Sequence, residues 1–185
     1  MSLESPQTRD HLLRALEQQE RKSAAYWSAF DTDAFFRRIG ESWSPSEAVR
    51  HLNKSTRPVA KALRMPWLVL RFMFGKASRP SMTYDALVER YRTALAAGGE
   101  AGRFAPSVQS RSDAEEWRAS IMRDYANVHR ELRAAIARWP DARLDRLQLP
   151  HPLLGKLTVR EMLFFTLYHQ RHHVAVVERR LHEQA

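Results

Sequence analysis

Apolar positions recur along this chain with the 3.6-residue period of helices that bury one face, and polar stretches rich in proline or glycine separate the periodic runs. Leu12, Leu16, Gln19, Ser23, Tyr26, Trp27 and Phe30 form the inner stripe of a first helix ending near Asp31, with Ser5 as N-cap and Pro6 at its first position. Residues 31–42 turn the chain, and Phe35, Phe36 and Ile39 are expected to tuck against a bundle end. A second helix starts at Trp-Ser-Pro-Ser-Glu: Ser44 is the N-cap, Pro45 sits at N1 and Glu47 at N3. Pro58 should kink or locally open this helix, because it lacks a backbone donor and crowds the preceding turn. Residues 84–97 predict a shorter helix stopped by Gly98 and Gly99, with Leu87, Val88, Tyr91 and Leu95 inside. A third long helix is expected from a capping box at Ser112 and Glu115 to Arg138. Its seam is Trp117, Ile121, Tyr125, Val128, Leu132, Ala135 and Ile136.

The last helix, residues 158–181, begins with a second strong capping box, Thr158 with Glu161. Met162, Phe165, Thr166, His169, His173, Val176 and Val177 share one face, and Arg160, Arg171, Glu178 and His182 fall on or near the other. Between the helices, residues 64–81 are apolar and basic together. They are expected to extend the second helix and then form a loop in which Trp67, Phe72, Met73 and Phe74 roof a pocket. Residues 98–110 form a linker without periodicity, and residues 147–157 a rigid approach in which Pro150 and Pro152 hold His151. The whole, residues 1–185, is expected to be one domain: an all-α four-helix bundle with short accessory helices and loops.

Histidines on the inner faces carry the candidate chemistry. His169 and His173 lie one turn apart on the apolar side of the last helix, where two imidazoles can share one metal ion. Left unpaired there, buried nitrogens would cost roughly 1–3 kcal/mol each. His51 stands about two turns inside the second helix on a face of small residues, Ala48, Ser55 and Ala62. Three neutral nitrogens, from His51, His169 and His173, are the number a catalytic metal site uses when it keeps a position open. His172, about 80° off the face centre, is a weaker candidate, and His129 on the third long helix is expected to hydrogen-bond a neighbouring helix. Glu47 could orient His51 from behind.

Composition narrows the options. The 185 residues include no cysteine, which excludes disulfides, thiolate ligands and a cysteine nucleophile, so a metal must be held by His, Asp or Glu. A formal net charge of +9 attracts anions, but the arginines are interspersed with glutamates, so nucleic acid is not the expected partner. Residues 1–12 are polar, without the apolar segment of a signal peptide, and the most apolar run, residues 65–74, is about half the length of a membrane span. The expectation is a cytoplasmic protein that does not enter a membrane.

Three pieces together resemble the DinB-like superfamily, which includes the YfiT-like bundles: Trp43-Ser-x-x-Glu-x-x-x-His-Leu, the approach His151-Pro-x-x-Gly-x-Leu-Thr, and the cluster His169-x-x-His-His. The resemblance covers roughly Leu12 to Leu181. It implies a four-helix bundle with a divalent metal, zinc or nickel, at an open end, held by the residues matching the family ligands, His51, His169 and His173. It also implies a homodimer, a small-molecule substrate, and thiol-dependent transfer with a low-molecular-weight thiol, or hydrolysis. Residues 64–81 match no particular subfamily, which leaves the substrate open. The alternative is a non-catalytic, stress-related bundle that binds a small ligand or a partner and keeps its histidines as a polar core cluster. A DNA-associated stress protein is suggested by charge alone.

Overall fold

The computed structural model describes residues 8–107 and 112–184. The expected cap at Ser5 and Pro6 lies outside them. Thr8 takes that role, its hydroxyl accepting from the His11 N–H at the start of α1 (Arg9–Ser28). Asp31 caps a short α2 (Thr32–Phe36), which drives Phe35 into the core, and Ile39 follows it. Ser44 and Glu47 form the expected reciprocal capping box of α3 (Pro45–Arg64), and this helix continues through Pro58. After α4 (Trp67–Phe74) and α5 (Tyr84–Ala96), a single 3-10 turn at Gly102–Phe104 interrupts the linker.

The next long helix, α6 (Ala114–Ala137), starts one residue later than the sequence pattern suggested. Asp113 caps it by accepting from the Glu116 N–H at 2.8 Å, while Glu115 accepts from Thr32 on α2. A carboxylate outcompetes a hydroxyl at a helix N-terminus because its charge also meets the helix dipole. A one-turn α7 (Asp141–Leu144) leads into two antiparallel strands, β1 (Gln148–His151) and β2 (Gly155–Thr158), paired Gln148 to Thr158 and His151 to Gly155. This hairpin was expected only as a rigid approach to the last helix, and Pro150 lies within its first strand. A two-stranded ribbon is all edge, which is where proline is tolerated. Thr158 then caps α8 (Val159–His182) through its box with Glu161.

The four long helices close a ring: α1 packs on α6 and α8, and α3 packs on the same two, while α5 lies outside against α8. Two apolar clusters fill the bundle. One joins Leu12, Leu63, Leu132, Leu157 and Phe165, and the other joins Trp27, Phe35, Val49, Leu52, Trp117 and Val177. His169, His172 and His173 of α8 fall between Phe165 of the first and Val177 of the second. Polarity therefore enters the bundle at a seam in its core.

Two expectations about side-chain placement are corrected. Arg160, assigned to the outer face, is buried and bonds Asp145 at 2.7 Å and Asp141 at 3.2 Å. Residues 67–74 form a helix, not a loop, and only Phe74 of the four expected roof residues lines the cavity described below. Leu70 anchors α4 inside, while Phe72 is 92% exposed beside Leu68 and Met73. No helix among the described residues is long and apolar enough to cross a membrane.

Candidate metal centre

The capping box of α3 sets His51 on the inner side of that helix, and the box of α8 does the same for His169 and His173. Their Nε2 atoms converge. His169 Nε2 lies 3.1 Å from His51 Nε2 and 3.0 Å from His173 Nε2. One ligand-capable nitrogen from each of the three falls within 4.8 Å of the others. A tetrahedral ion with metal–nitrogen bonds of about 2.1 Å sets its ligand atoms roughly 3.4 Å apart. The spacing suits a shared ion.

The outer nitrogens show why the lone pairs face inward. His51 Nδ1 lies 2.9 Å from the Phe104 carbonyl, which can only accept, so Nδ1 carries the proton and Nε2 is bare. Ser55 on α3 donates to the Leu52 carbonyl at 3.0 Å, which leaves its oxygen free to accept from His169 Nδ1 at 3.5 Å. Both rings thereby take the tautomer a ligand requires, and each has a partner behind it that fixes its orientation. Trp43 stacks parallel to His173 with centroids 5.9 Å apart and leans on His51, closing one side. Phe165 stacks on His169 at 4.7 Å.

Electrostatics keep the rings neutral. Burial, followed by the neighbouring histidines, pushes His169 and His173 well below the ordinary histidine value. For His51, burial and Lys54 outweigh the opposing bond to Phe104. With no carboxylate among the three, the cluster presents lone pairs to whatever enters. Such a donor set suits a cation better than a proton relay.

The centre opens on a cavity of about 720 Å³. Tyr91, Leu149, Met162 and Phe165 give it apolar walls, and Glu100 and Arg103 also border it. His172 lines this cavity between Tyr91 and Tyr168 but contributes no nitrogen to the trio. His151 lines it from β1, where its Nδ1 also fixes the hairpin turn. His129 lies elsewhere and bonds the Tyr125 carbonyl of its own helix at 2.8 Å, not a neighbouring helix. Glu47 is held by the Ser44 N–H at 2.9 Å and approaches Arg38, so its observed contacts belong to the cap.

Sequence reasoning missed the Phe104 carbonyl. It comes from the linker, 53 residues after His51, and a backbone oxygen has no sequence signature. The one available signal was Gly102, whose φ of +50° opens the turn that delivers the carbonyl.

A four-helix bundle with three inward imidazoles at the edge of an apolar cavity defines a class of candidate metalloprotein. Residues 15–177 match the model of the DinB superfamily, and the chain belongs to that superfamily. Among solved structures it is similar to YfiT from Bacillus subtilis, described as a probable metal-dependent hydrolase with an unusual four-helix bundle topology. The TM-score is 0.57 at 14% identity, over 95% of this chain and 87% of that one. At this identity the likeness establishes the fold. None of the curated proteins compared matches the chain.

Proposed function

We propose that this protein is a divalent-metal-dependent enzyme in which His51, His169 and His173 hold the ion. The observation that carries this reading is the convergence of three Nε2 atoms, with the outer nitrogens of His51 and His169 engaged so that the inner ones are bare. When bound, zinc or nickel would supply Lewis-acid polarisation and lower the pKa of a bound water or thiol. The chain's own part is to keep the imidazoles neutral by burial, to fix their tautomers through Phe104 and Ser55, and to exclude bulk water with Trp43 and Phe165. The reaction is hydrolysis, or transfer to a low-molecular-weight thiol, on a small molecule held in the cavity. The apolar walls favour a substrate with a hydrophobic body. We place the protein in the cytoplasm as a homodimer, and the apolar face of α4 around Phe72 is available for self-association.

Elemental analysis of tag-free protein beside the His169→Ala/His173→Ala variant tests the metal. About one ion per chain is expected, lost in the variant. Hydrolysis and thiol-transfer assays on the loaded protein follow. If neither protein takes up an ion after reconstitution with zinc or nickel, the histidines are a polar core cluster and the bundle is a binding protein.

A further inference from the structure

His151 belongs to the hairpin and stands apart from the trio. Its Nδ1 accepts the backbone N–H groups of Leu153 at 3.2 Å and Leu154 at 3.1 Å. A ring nitrogen that receives two hydrogens carries none of its own, so the neutral ring holds its proton on Nε2. That nitrogen has no protein acceptor among the described residues, yet it is not sealed from contact. Since the residue is 7% exposed and lines the cavity, Nε2–H opens into it. Burial, with a smaller contribution from Arg90, lowers the His151 pKa to about 4, so near neutral pH it is an uncharged donor.

The surroundings say what such a donor would meet. Phe165 has His151 at 4.2 Å and His169 at 4.7 Å from its ring, so one phenyl group separates the donor from the trio. Tyr91 faces both histidines edge-on at 6.3 Å, and Leu149 and Met162 continue the wall. A fixed donor in a largely apolar wall favours a ligand carrying an acceptor oxygen on a hydrophobic body.

We propose that His151 is a specificity-determining residue whose Nε2–H donates to the carbonyl oxygen of a neutral small molecule lying against Phe165 and Tyr91. This rests on the reading of the cavity as a substrate site, though not on the ion. The hairpin thus contributes a polar group of its own to the cavity, facing substrate where the trio faces the metal.

Acetophenone and ethylbenzene have nearly the same shape and differ in the oxygen, so they serve as probes in NMR titrations of the full chain, metal-free and zinc-loaded. His151→Asn keeps an acceptor for the Leu153 and Leu154 N–H groups but its shorter amide leaves no donor at the Nε2 position, whereas His151→Gln can replace that donor and not the turn acceptor. In the native protein, nitrogen NMR should find the His151 proton on Nε2, and acetophenone should bind more tightly than ethylbenzene. His151→Asn should weaken acetophenone binding about tenfold and leave ethylbenzene unchanged, while His151→Gln should keep the preference and lower the Tm. A proton on Nδ1, equal losses for both probes, or no acetophenone binding overturns the proposal. Zinc uptake is scored separately. Uptake with no ketone preference removes this inference alone, and a His151-dependent preference in protein that takes up no zinc removes the metal reading alone.

Discussion

Two polar clusters lie on α8, one at its first turn and one about two turns further on, and they handle burial in opposite ways. At the first turn the Glu161 carboxylate is fully buried, and both oxygens are occupied. One accepts from Met82 N at 2.6 Å and from Arg79, and the other from Thr158 N at 2.8 Å and Arg79 at 3.0 Å. Burial pushes its pKa up, but the bonds from Arg79, Met82 and Thr158 prevail and hold it below the usual carboxylate value. At His169 the reverse holds: like groups face like groups, and their inner lone pairs find no opposite charge. A cluster that completes its bonding within the chain serves the fold. A cluster that leaves converging acceptors is open to a ligand.

The largest effect should come from breaking the first cluster. Glu161→Ala leaves the Thr158 and Met82 donors unpaired and separates α8 from residues 79–82. A loss of roughly 3–5 kcal/mol in urea unfolding is expected, with metal stoichiometry unchanged in the protein that remains folded. Equal loss of metal would mean that the two clusters are one unit.

His129 sharpens the contrast from the other side, as a buried histidine with no second imidazole bonded to it. Burial drops its pKa from 6.5 to about 4, although its bond to the Tyr125 carbonyl opposes the shift. Because the folded value lies below the unfolded one, the unfolded chain takes up the proton first as pH falls. The stability is therefore complete above pH 6.5 and is lost as pH falls from there to about 4. His129→Leu should reduce that acid loss by roughly 3 kcal/mol, read from denaturation midpoints of metal-free protein across the pH range. An unchanged pH profile would show that His129 is already charged in the fold.

The smallest effect concerns orientation. Ser55→Ala removes the hydroxyl behind His169 Nδ1 and should weaken metal affinity by roughly tenfold with little change in stability. A change confined to stability would place Ser55 with the fold and not with the centre.

Local chemistry is what the sequence made legible. Ser44 with Glu47, Thr158 with Glu161, and His169 with His173 are each spaced within one turn, so their relations can be read without knowing the fold. His51 joined them because its helix start was unambiguous. The partners that complete these residues were hidden, since Arg79 meets Glu161 across 82 positions and the Phe104 carbonyl meets His51 across 53. Arg160 was misplaced for the same reason. On a helical wheel it belongs outside, but α7 and the turn after it bring Asp141 and Asp145 over it. The Arg64–Ser81 stretch misled because an apolar run identifies neither its own fold nor the face it turns to solvent.

The two capping boxes have one further consequence. His51 follows Ser44 by about two helical turns, and His169 follows Thr158 by about three. Each ligand candidate is thus in phase with the cap that opens its helix, like a mark on a dial read from a fixed zero. One residue added or removed between cap and histidine would swing the imidazole by about 100° while leaving the helix itself intact. In this part of the chain, length carries as much information as composition.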